Sequence, residues 1–131
     1  MNKGRFIKTV TTTLCLTSMM SIAVFAQVLE THVGTYAMAS LEQSYSGNLR
    51  KGTAITRPND LYKKDDGTEA SDYQTLTYIK AYYDDGDTGE KLEGPYYCST
   101  KVEYDYGYIE SFRSAHKVFK YSMLLGQVEL P

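Results

Sequence analysis

Residues 98–108 read Cys98-Ser99-Thr100-Lys101-Val102-Glu103-Tyr104-Asp105-Tyr106-Gly107-Tyr108. Cys98, Thr100, Val102, Tyr104, Tyr106 and Tyr108 alternate without a break against Ser99, Lys101, Glu103, Asp105 and Gly107. A side-chain period of two belongs to extended backbone, and this register places Lys101, Glu103 and Asp105 together in water. A helix would scatter the same residues around its circumference. The stretch, taken with its neighbours as residues 97–109, is a strand with one buried face.

The same logic extends outward. In residues 74–84, Thr77, Ile79, Ala81 and Tyr83 share one face while Leu76, Tyr78, Lys80 and Tyr82 share the other. Both faces carry apolar character, as in a strand packed within layers. Residues 34–45 read as extended up to the turn signal Ser46-Gly47-Asn48, and residues 49–56 as a second strand ended by Pro58-Asn59-Asp60. Residues 60–72 read as a polar loop with a strand edge around Leu61-Tyr62, and residues 90–92 as a brief returning strand before Gly94-Pro95. An extended piece around 115–119 follows, with a helical turn as the alternative near Glu110 and Arg113; residues 124–130 close the chain as a strand. Residues 27–33 read as an N-terminal lead. These patterns predict an all-β domain, a small antiparallel β-sandwich or barrel of six or seven strands.

A different physical pattern precedes it. Lys3, Arg5 and Lys8 form a basic start, residues 10–26 carry no charge, and Val24-Phe25-Ala26 sets small residues three and one before a cut at Gln27. This is the layout of a secretory signal peptide. The apolar stretch is diluted by Thr11, Thr12, Thr13, Thr17, Ser18 and Ser21, and is shorter than the roughly 20 apolar residues of a membrane anchor. Lipidation at Cys15 needs a small residue before it, where Leu14 stands. The expectation is therefore a cleaved signal-peptide helix over residues 1–26, a single β-rich domain over 27–131, a secreted product and no stable membrane insertion after cleavage.

Such a leader takes three of the 14 Lys and Arg and none of the 16 Asp and Glu, leaving 11 bases against 16 acids. That balance argues against nucleic acid, whose phosphates demand a basic footprint. Cys98 then remains alone, so the domain has no internal disulfide. We read it as a small residue packed in a strand, with an intermolecular disulfide as the alternative. All 13 tyrosines follow the leader and Trp is absent. Tyrosine suits a half-solvated sheet, because its ring packs while its hydroxyl stays wet.

The chemistry-bearing residues each have a plainer structural reading. Asp85, Asp87 and Glu90, around Gly86 and Gly89, could supply oxygens to calcium, but their spacing matches no EF-hand loop. An ordinary hairpin turn is the reading adopted, and no cofactor or metal is expected. The acidic loop from Asp65 to Glu69 reads the same way. Glu103 and Asp105 lie on one strand face without walls to desolvate a glycosidase pair. Ser114 and His116 share a strand face, yet no Gly-x-Ser-x-Gly elbow or orienting acid accompanies them. The binding candidates are Tyr104, Tyr106 and Tyr108, since aromatic rings displayed on a sheet clamp partners.

Over residues 104–118, and through Ser114-Ala115-His116-Lys117-Val118, the chain resembles small exported β proteins of Gram-positive bacteria. Most of these have no assigned role. Some resemble bacteriocins of the lactococcin 972 type, which form β-sandwiches and target cell-wall synthesis. The combined expectation is a secreted, non-enzymatic interaction domain whose partner is an unidentified protein or cell-envelope component. A bacteriocin-like antibacterial protein is the first alternative and a small secreted hydrolase the second.

Overall fold

The computed structural model describes residues 8–16 and 22–131. Its elements are β1 (Lys8–Leu16), β2 (Ile22–Val33), β3 (Ala37–Ser46), β4 (Leu49–Pro58), β5 (Tyr62–Lys63), β6 (Glu69–Ala70), β7 (Gln74–Tyr83), β8 (Thr88–Tyr96), β9 (Thr100–Gly107), β10 (Ile109–Lys120) and β11 (Met123–Leu130). No helix occurs among the described residues.

Two antiparallel sheets face each other. The first has the order β1-β2-β3-β4-β9 and the second β11-β10-β7-β8, with β5-β6 a small separate ribbon. Among the described residues both sheets keep free edges, so the architecture is an open sandwich of nine strands where six or seven were expected, and the barrel alternative is set aside. Strand β4 packs over β7 and β10, β9 over β7 and β8, and β11 against β2 and β3.

Three local expectations are corrected. Residues 27–33, read as a lead, belong to β2: Leu29, Thr31 and Val33 point inward and pair across to Leu41, Ala39 and Ala37. Glu90 and its neighbours form part of a nine-residue strand, because β8 continues through Gly94-Pro95 at the sheet's outer edge, where a missing N–H is tolerated. The helical alternative near Glu110 gives way to β10, whose alternate residues Phe112, Ser114, His116 and Val118 are all buried.

The basic start, apart from Lys8, and residues 17–21 of the expected leader lie outside the described residues. Its remainder differs from the expected helix: β1 pairs with β2 from Lys8↔Glu30 to Leu16↔Ile22. The β-branched run Val10-Thr11-Thr12-Thr13 favours extended backbone, and β2 presents an edge to receive it. A cut before Gln27 falls inside β2 and leaves its segment from Gln27 to Val33 paired with β3.

Rows of small and branched residues fill the sandwich. Leu29, Leu41, Ala54 and Val102 form one row across the first sheet. Ile79, Ala81, Phe112, Val118, Val128 and Leu130 face them from the second. One row further on, Gly52 gives way to the Phe112 ring: a Cβ there would stand 2.8 Å from Phe112 Cδ1 and 2.9 Å from Ile79 Cδ1. Burying Phe112 contributes about 2–3 kcal/mol, and that depends on Gly52 having no side chain.

Toward the opposite end the interior turns polar. His116 is fully buried, with Nδ1 2.8 Å from Thr56 Oγ1 and Nε2 2.8 Å from Ser114 Oγ. The chain continues from Thr56 to Thr77 (2.7 Å), Thr77 to Thr100 (2.6 Å) and Thr100 to Thr75 (3.0 Å), and ends where Thr75 donates to the Cys98 carbonyl at 2.6 Å. Hydroxyls that both donate and accept can satisfy one another in such a ladder. Among the described residues, only Thr31 Oγ1 is a buried side-chain polar atom without a partner.

Candidate binding site at the tyrosine end of the sandwich

Three connections meet at one end of the molecule: the β3–β4 turn, the β7–β8 turn and the β9–β10 junction. The last is a single residue, Tyr108, at which the chain leaves one sheet for the other. Its N–H donates to the Asn48 carbonyl at 3.0 Å, and its carbonyl accepts from the Asp84 N–H at 3.0 Å. Those bonds hold Tyr108 at φ 62°, a left-handed conformation that costs a side-chain-bearing residue about 1–2 kcal/mol.

The three predicted tyrosines do not form one surface. Tyr104 is buried: its hydroxyl lies 2.9 Å from that of Tyr83, and Lys91 Nζ sits 5.3 Å from its ring centroid. Burial, followed by the bond to Tyr104, pushes the Tyr83 phenol up to about 12. Tyr106 and Tyr108 are 57% and 66% exposed. The Tyr104 ring braces Tyr106 from below, with centroids 5.4 Å apart at an interplanar angle of 50°. Period-two alternation places Tyr104 and Tyr106 on one side of β9, where depth along the sandwich separates the covered ring from the open one, while Tyr108 lies beyond the strand and its left-handed backbone ends the alternation.

Residues that sequence reasoning passed over flank this surface. Arg50 pairs across β4–β9 with Tyr106 and across β3–β4 with Tyr45. Its guanidinium lies 4.5 Å from the Tyr45 ring centroid and donates to the Glu110 carbonyl on the opposite sheet. Arg50 thus ties the two layers at the rim and stiffens the ground beside Tyr106. Leu49, 49% exposed, borders it. Tyr82 and Tyr83 fall on opposite faces of β7, and Tyr96 and Tyr97 stand at the far end of the sandwich.

The other candidates are placed as follows. Asp85 Oδ1 accepts from the Asp87 N–H at 2.9 Å, which closes their own turn, and Glu90 accepts from the Tyr78 hydroxyl. No group of three His, Cys, Asp or Glu able to hold a metal occurs among the described residues. Asp66 accepts from the Thr68 hydroxyl at 2.6 Å and its N–H at 3.0 Å, and those bonds, the hydroxyl's first, lower its carboxyl. Glu103 is bonded to Lys101 at 2.9 Å and lies 3.8 Å from Lys51, so its acidity moves away from what a general acid requires. Ser114 and His116 have the spacing of a nucleophile and base, but both are sealed in the interior, and the group on Nδ1 is the Thr56 hydroxyl. Cys98 is half-buried in the β8–β9 connection, outside any strand, and is a free thiol.

Comparison with protein-family models, with curated proteins and with solved structures returns no match. What is defined is the class, an all-β antiparallel sandwich with an aromatic rim.

Proposed function

We propose that this chain is an exported interaction domain that engages a protein or cell-envelope component through Tyr106 and Tyr108. One observation carries the reading: Tyr108, exposed beside Tyr106, occupies a left-handed backbone position where glycine or asparagine costs less. Tyr121 in the β10–β11 turn is also left-handed, at φ 52°, but among the described residues it has no second exposed ring braced beside it as Tyr106 is by Tyr104. Both bonds that hold the junction are made by the backbone of Tyr108, so neither requires its ring. Exposed tyrosines on a braced base are the side chains that dominate protein interfaces, because they offer large area at small entropic cost.

Export is tested by sequencing the N-terminus of the protein recovered from the medium of a Gram-positive host. Gln27 as the first residue supports the reading; an intact Met1 in the cell pellet removes it.

Binding is tested by co-sedimentation with Gram-positive cells and isolated walls. Tyr108→Gly should leave stability within about 1 kcal/mol of the parent, as relief of the left-handed strain offsets the freedom gained by the unfolded chain. The same change, or Tyr106→Ala, should weaken saturable binding at least about tenfold. Binding that survives both substitutions places the contact surface elsewhere.

A further inference from the structure

The outer face of the second sheet holds a different combination of groups. In the β7–β10 register Lys80 stands directly opposite Arg113, so two cations share one cross-strand pair. Like charges so placed destabilise a sheet. Neither forms an ion pair among the described residues, where the ion pairs are those of Glu103 with Lys51 and Lys101, although Glu90 stands directly opposite Lys80 on β8 and Glu129 lies on the far side of Arg113. Glu90, next in the row beyond Lys80, receives the Tyr78 hydroxyl, while the Lys80 ammonium lies 5.4 Å from the Tyr82 ring centroid. Tyr78, Lys80, Tyr82, Arg113, Ala115 and Glu129 line a groove of about 480 Å³, a volume within the range of small-ligand sites.

We propose that this groove binds an acidic saccharide, its carboxylate held between Lys80 and Arg113 and its ring faces resting on Tyr78 and Tyr82. Three features select that ligand. The paired cations ask for an anion, and a guanidinium fork matches a carboxylate. Strands β7 and β10 are the two central strands of their sheet, with their ladders filled on both sides. An extended peptide, which docks by joining a free strand edge, finds none here. Recognition must come from side chains alone, which favours a rigid ring with hydroxyls over a flexible chain. Glu129, across from Ala115 at the rim, accepts hydroxyls and repels a densely charged polyanion. The site is separate from the tyrosine end and does not depend on it.

The test is calorimetric titration of the purified protein with tetragalacturonic acid, neutral maltotetraose and hexaglutamate. The acidic sugar should bind saturably, and the other two should give no heat above dilution. Lys80→Gln with Arg113→Gln should weaken binding at least about tenfold without lowering the unfolding temperature, because the double change removes a repulsion. Tyr82→Ala should weaken it as well. Absence of binding by the acidic sugar, or binding undiminished in the double variant, overturns the proposal. Hexaglutamate binding as tightly as the sugar would assign the groove to acidic peptides and overturn it equally.

Discussion

Taking the protein from pH 7 to pH 4 should remove about 3 kcal/mol of its stability through one side chain, His116. Burial lowers this imidazole from 6.5 to about 4, and its neighbours are hydroxyls, with no carboxylate to welcome a charge. The folded state therefore keeps His116 neutral over a range in which the unfolded chain takes up a proton. Stability from this group is complete above pH 6.5 and is lost progressively as the pH falls toward 4. Below that the folded protein binds the proton too and the slope vanishes. The gap between the two values corresponds to the stated loss, a large share of the 5–15 kcal/mol typical of a domain. Urea denaturation at both pH values measures it. His116→Gln keeps a polar side chain in the ladder without a titrating group, so its loss between the same pH values should be smaller by about 3 kcal/mol. An identical loss in the variant and the parent would show that the ladder tolerates the charge.

Gly52→Val should destabilise the protein by about 3 kcal/mol, at the upper end of what overpacking costs. The position is buried, and the first added carbon meets the Phe112 ring and Ile79 Cδ1 below 3.0 Å. Neither neighbour can yield into solvent, because Phe112 is 1% exposed and Ile79 fully buried. The cause can be isolated with the smaller change Gly52→Ala combined with Phe112→Leu. If the clash with the ring is responsible, the pair should cost less than the two single changes together, by more than about 0.5 kcal/mol. Simple additivity would place the cost of filling Gly52 elsewhere, in the backbone of β4.

Local alternation made much of the fold readable. The paired faces of β7 and β9 were legible because each strand places charges or tyrosines against small and branched residues at every second position. The turns at Gly47 and Gly86 were legible because both glycines adopt positive φ, at 60° and 91°. Strand β2 escaped because Leu29, Thr31 and Val33 are few, and one of them is polar, so the alternation is too short to stand out. Of the edge strand β8 only residues 90–92 were legible, for the opposite reason: its side chains are mostly exposed or half-buried, and no burial pattern marks its full length.

The functional candidates divide along the same line. The row Tyr104, Tyr106 and Tyr108 was visible as a stripe, but a stripe has no depth. Tyr104 closes the core because β7 lies over it, and Tyr106 emerges because the opposing sheet ends, two facts absent from β9 itself. The Lys80–Arg113 pair left no local signal, since 33 positions separate the two residues and only the register of β7 on β10 sets them side by side.

By itself, then, the sequence determined period, turn and strand, and with them the all-β class, because alternation and glycine conformation are short-range properties of the chain. Tertiary structure alone decided which threonines joined His116 in a buried ladder, which tyrosines stayed in water, and which cations became neighbours. Those outcomes depend on the pairing of distant strands and the stacking of two sheets, and neither is encoded within any single segment.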